Sequence, residues 1–161
     1  MVYLVPIPGL CILGLVSVQD IRSRQVHRSW ILLGILVQLA SLLGYCVTSP
    51  LGYWPLVIAF SITLVSTLLQ STLALIRPGA LGLGDITSTA LAAFSIGVLG
   101  WASTILFWFL TGTLGLLAIS LYYWLNRKAK CATDRAEVSF PFVTILFTAA
   151  IATDIITYLI Q

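Results

Sequence analysis

The chain has 161 residues, 60% of them hydrophobic and 8% charged, with a mean hydropathy of +1.08 and a net charge of +3. That much apolar surface exceeds what one water-soluble core of this size encloses, so a soluble globular protein is excluded. The eight Lys and Arg residues are too few, and sit too much in short connections, to build a nucleic-acid surface; the expected partner is the lipid bilayer, with no nucleic acid.

An apolar helix of about 20 residues crosses roughly 30 Å of hydrocarbon, and runs of that length recur along nearly the whole chain. The first, Val2 to about Gln19, opens without the basic segment and small-residue cleavage site of a secretory signal, so it reads as a span. A polar connection, Gln19 to Arg28, holds Asp20, Arg22, Arg24, His27 and Arg28. The second span is Trp30 to about Thr48, and its leading tryptophan suits the membrane interface. An uncharged turn from Ser49 leads to the third, about Pro55 to Ile76. Arg77-Pro78-Gly79 stops that helix. The loop continues as Ala80-Leu81-Gly82-Leu83-Gly84 and delivers Asp85.

No charge follows from Ile86 to Leu125, a stretch long enough for two spans, with the break expected at Gly97-Val98-Leu99-Gly100-Trp101 and the fourth span unusually short. Asn126 to Glu137 is the most hydrophilic connection, and Ser139 to about Ile160 is the sixth span. The expectation is an all-α bundle of six transmembrane helices forming a single domain over residues 1–161. In that topology the connections after spans one, three and five share a face and hold all eight Lys and Arg residues. The positive-inside rule assigns that face to the cytoplasm and both termini to the other side.

Asp20 ends the first span and Asp85 begins the fourth, so both reach the same membrane surface. Two carboxylates at one membrane edge suggest an aspartic protease, in which one activates water while the other, protonated, polarises the scissile carbonyl. The plainer reading is that each aspartate caps a helix. It suits Asp85 at a helix N-terminus better than Asp20 at a C-terminus, where the helix dipole disfavours negative charge. Gly82 and Gly84 are either a flexible turn or a place where a substrate backbone approaches closely.

The other candidates read plainly. Cys11, Cys46 and Cys131 have neither zinc-site nor disulfide spacing, and the lone His27 reads as solvated or at lipid headgroups rather than metal-bound. Asp154 lies about 20 Å along a helix from Pro141, too far toward the opposite surface for a third catalytic acid. Gly112 and Gly115 suggest close helix packing.

Gly82-Leu83-Gly84-Asp85 matches the GxGD signature of membrane aspartic proteases. With Asp20 after the first span, six spans and this length, the chain resembles the prepilin peptidase (type IV leader peptidase) family, closest to its short tight-adherence pilus and preflagellin forms. The resemblance implies an aspartic endopeptidase, free of cofactor and metal, that cleaves the short basic leaders of prepilin-like precursors in type IV pilus and secretion systems. It implies Asp20 and Asp85 as the catalytic pair and Gly82, Leu83 and Gly84 as the substrate-facing loop, in the cytoplasmic membrane with the site toward the cytoplasm.

Phe140-Pro141-Phe142 resembles the family's proline-containing segment at the sixth span, or is only a proline in a first helical turn. The chain departs from the family at Val26-His27-Arg28, where Ile-Pro-Asn is common, and at Thr87, where lysine is common. The long loop with paired CxxC motifs found in the larger enzymes is absent between spans one and two, so no N-methyltransferase activity is expected. Presenilin-like proteases also use GxGD but have more spans, and no Pro-Ala-Leu follows Asp85. A non-catalytic assembly protein of this fold, and a small six-span transporter, are the alternatives.

Overall fold

The computed structural model describes residues 2–23, 27–76, 82–125 and 142–160. After a 3-10 turn at Val2–Leu4 come six helices: α1 (Ile7–Ser23), α2 (Arg28–Thr48), α3 (Trp54–Ile76), α4 (Leu83–Gly97), α5 (Trp101–Leu125) and α6 (Phe142–Ile160). Among the described residues there is no strand. Five of the six regions are long and apolar enough to cross a membrane, and α4 is not. Large side chains such as Leu64, Ile105, Phe109 and Leu116 are more than half exposed around the outside, as lipid-facing residues of a membrane protein are.

The short fourth helix is the centre of the bundle. It packs against all five others and buries nine residues, Ser88, Thr89 and Leu91–Gly97. At 15 residues it is about 22 Å long, short of the roughly 30 Å of hydrocarbon, but a helix surrounded by protein need not cover that thickness itself. Small residues allow the packing: a Cβ on Gly97 would lie 3.0 Å from the Ala59 Cα, so α3 and α4 touch nearly backbone to backbone there. The expected break between α4 and α5 is present, and Gly100 at its end has φ +93, a conformation that favours glycine.

The first helix begins later and ends later than its apolar run suggests. Pro6 and Pro8 suit a helix start but leave few amide donors, and the Gly9 N–H is one of the groups a first turn cannot satisfy internally. Gln38 of α2 supplies the acceptor: its Oε1 takes the Gly9 N–H at 3.0 Å and its Nε2 donates to the Val5 carbonyl at 3.1 Å. Gln38 is fully buried. At the other end α1 runs on to Ser23, so Asp20 lies inside its last turns rather than beyond it.

One packing expectation is corrected. A Cβ on Gly112 or Gly115 would meet nothing within 4 Å, so these glycines do not bring α5 close to another helix. The Arg77–Leu81 segment, the Asn126–Glu137 connection, Arg24, Cys131, and Phe140 and Pro141 lie outside the described residues.

Candidate active site

Asp20 and Asp85 are brought together by two antiparallel registers. Between α1 and α4, Gly9 lies against Ser95, and Ile12 meets Leu91 over Gly34. Extending that register along α1 sets Asp20 level with the first turn of α4, where Asp85 is the third helical residue. The charge of Asp85 is felt at Asp20, in accord with that register. Both side chains are half-buried.

The second register runs between α1 and α6. The Tyr3 and Tyr158 rings meet edge to face at 5.5 Å, a Cβ on Gly14 would touch the Phe147 ring, and Ser17 Oγ donates to Thr144 Oγ1 at 3.0 Å. The same register ends with Asp20 against the start of α6, where the Val143 backbone N–H lies toward its carboxylate. Asp20 is misplaced with respect to the dipole of its own helix. The N-terminus of α6, the positive end of a helix dipole, supplies the compensation. Its Oδ2 is nevertheless buried with no hydrogen-bond partner among the described residues.

Asp85 is a helix cap as well as the neighbour of Asp20. Gly82, extended at φ −80 and ψ 156, is the N-cap of α4, and its N–H donates to Asp85 Oδ2 at 3.0 Å. The Asp85 N–H donates back to the Gly82 carbonyl at 3.1 Å. A glycine N-cap has no side chain to complete a capping box, so the helix end rests on the aspartate alone. The Gly82 dihedrals are open to any residue, and a Cβ there would meet Asp85 Oδ2 at an ordinary 3.5 Å. Neither backbone conformation nor packing therefore requires glycine at position 82. Leu83 is 66% exposed and Gly84 half-buried, so Gly82, Leu83 and Gly84 form the rim over Asp85.

Thr87 turns its hydroxyl back onto the Leu83 and Gly84 carbonyls, at 3.1 and 3.0 Å, steadying the same rim. His27, exposed at the start of α2, has Nδ1 3.0 Å from Gln19 Nε2, which ties α2 to the residue before Asp20. Arg22 and Arg28 are exposed at this end. Asp154 lies more than two turns along α6 from Val143 and takes no part; its Oδ1 is buried without a partner among the described residues. Among the described residues no group of three or more His, Cys, Asp or Glu side chains could hold a metal ion.

The Val143 amide was not anticipated from the sequence, although the proline of Phe140-Pro141-Phe142 was a signal for a helix N-terminus there. No curated protein and no solved structure matches the chain. A family model does: the type IV leader peptidase family matches residues 7–120, from the start of α1 through most of α5 and including both aspartates. With that match over most of its length, the chain belongs to the type IV leader peptidase family.

Proposed function

We propose that the protein is a membrane aspartic endopeptidase that removes the short basic leader of prepilin-like precursors, with Asp20 and Asp85 as its catalytic pair. The observation that carries this is the α1–α4 register that sets Asp20 level with the first turn of α4, which holds Asp85, within the span of the family match. One carboxylate takes a proton from a water molecule as its oxygen attacks the scissile carbonyl carbon. The other, protonated, hydrogen bonds to the carbonyl oxygen. Collapse of the tetrahedral intermediate breaks the C–N bond, and the leaving amine takes a proton from the pair. Gly82, Leu83 and Gly84 lie alongside the substrate backbone.

The proposed setting is a single domain of six spans, with α4 as the fourth crossing, both termini outside and the pair at the cytoplasmic surface of the cytoplasmic membrane. A prepilin-like precursor keeps its leader in the cytoplasm and its apolar stem in the bilayer, so its scissile bond lies at that depth. The reaction needs neither cofactor nor metal, and no methyltransferase step accompanies it.

The test is cleavage of a co-expressed panel of prepilin-type precursors in membranes, read by the mass of the new N-terminus. The account expects a product lacking only the leader; uncleaved precursors across the panel beside a well-inserted chain would count against it. The rate should be bell-shaped in pH. At low pH both carboxyls hold protons and no base remains, and at high pH both are ionised and no acid remains, so the two limbs belong to the pair. A single-limbed profile would contradict the shared proton.

A further inference from the structure

The strongest unexplained feature lies one turn below the aspartate pair. Ser88 of α4 is fully buried, and its Oγ has no hydrogen-bond partner among the described residues. The other described hydroxyls of α4 behave differently. Thr87, Thr89 and Ser95 each donate to a carbonyl of the preceding turn, at 3.1, 2.9 and 2.9 Å. Ser88 has the same option on its own helix and does not take it. An orphaned buried hydroxyl is costly and calls for an explanation.

The register names the group it faces. Ser88 lies on the stripe of α4 that carries Leu91 and Ser95, which pack on Ile12, Gly34 and Gly9 of α1 and α2. The same antiparallel register sets Ser88 level with Val16 of α1, one turn from Asp20. Side chains on a helix lean toward its N-terminus. Ser88 therefore leans toward the Asp85 end of α4, while Asp20, on an antiparallel helix, leans toward Ser88. The Asp20 atom that is buried without a partner among the described residues is Oδ2, an acceptor. The seam thus holds an unused donor and an unused acceptor, each lacking what the other offers.

We propose that Ser88 is a positioning residue whose hydroxyl donates to Asp20 Oδ2 when the site closes on substrate. The inference rests on the peptidase reading above. With the Val143 N–H on the α6 side of the carboxylate, a bond from Ser88 holds Asp20 from a second side and fixes which oxygen faces the water. Closure would turn the Ser88 χ1 toward α1 and carry the Asp20 carboxylate to meet it.

The test uses the full chain in liposomes, with Ser88→Ala and the near-isosteric Ser88→Cys, whose thiol is a weak donor. The infrared carboxyl band of Asp20, identified by its loss in Asp20→Asn, is recorded with and without a substrate-derived peptide spanning the scissile bond. With peptide bound it should shift in Ser88→Ala relative to the native chain. The kcat for precursor cleavage should fall about tenfold in Ser88→Ala, the order expected for one hydrogen bond to a charged group, with KM unchanged and Ser88→Cys intermediate. A merely structural Ser88 predicts an unmoved band, undiminished kcat and higher thermal stability in Ser88→Ala, which would overturn the proposal. Should Ser88→Ala fail to insert, Ser88→Cys decides by the same two readouts. The infrared shift reads the bond even if no precursor is cleaved, so failure of this inference and failure of the peptidase reading are distinguishable.

Discussion

Asp20→Asn and Asp85→Asn should each lower precursor cleavage by at least about a thousandfold, since each removes a group that moves a proton in the reaction. Loss of either member disables both halves of the exchange, so the double variant should be no worse than the singles. The two should differ in stability. Asp85→Asn keeps an oxygen to accept the Gly82 N–H, now without charge, at a glycine N-cap with no side chain of its own, so a fraction of a kcal/mol up to about 1 kcal/mol of helix-end stabilisation is at stake. Asn at position 20 removes a carboxylate that repels Asp85 and is costly to bury, so Asp20→Asn should be neutral or stabilising. Thermal melts in detergent beside the cleavage rates check both. Variants that cleave as well as the native chain, at equal insertion, would remove the catalytic assignment.

Gly9→Val is expected to destabilise the fold far more than either aspartate change. A Cβ at position 9 would overlap Ser95 Oγ and come within 2.6 Å of Gln38 Oε1, the atom that accepts the Gly9 N–H. Neither neighbour has room to yield, because Gln38 and Ser95 are fully buried and Gln38 is also held by its bond to Val5. Overpacking and the loss of a buried cap together should cost about 3 to 5 kcal/mol. The damage should extend to function: Gly9 sets the α1–α4 register that carries Asp20 to Asp85. Gly112→Val, facing open space on α5, is the control and should melt within about 0.5 kcal/mol of the native chain. A Gly9→Val chain as stable as native would mean that α1 and α4 do not meet there.

Much of this was legible in the chain. Uncharged runs locate helices because hydrocarbon demands length and apolarity, and Gly97 to Trp101 marked the break between α4 and α5 through glycines that no strong helix signal overrode. GxGD with an aspartate after the first run was enough to recognise the family. What escaped depended on neighbours. The centrality of α4 follows from its contacts with every other helix, whereas its sequence showed only that it is short. Asp20 looked exposed to the wrong end of a dipole because the compensating N–H belongs to Val143, far along the chain on α6. Gly112 and Gly115 looked like packing glycines because spacing on a helix says that small residues share a face, not that another helix covers it. Gln38 and Gly9 gave no local hint of each other, since a buried amide bond between two helices has no periodic signature.

The central claim is that two carboxylates on α1 and α4 work as one pair, and proximity in the membrane tests it most directly. In a background with Cys11, Cys46 and Cys131 replaced by alanine, the double variant Asp20→Cys/Asp85→Cys is treated in membranes with a short bifunctional thiol reagent. Ser17→Cys/Thr144→Cys, whose native oxygens are 3.0 Å apart between α1 and α6, serves as the reference. The account predicts an intramolecular link between positions 20 and 85 as efficient as the reference, lost when either cysteine is omitted. A reference pair that links while positions 20 and 85 do not would contradict it.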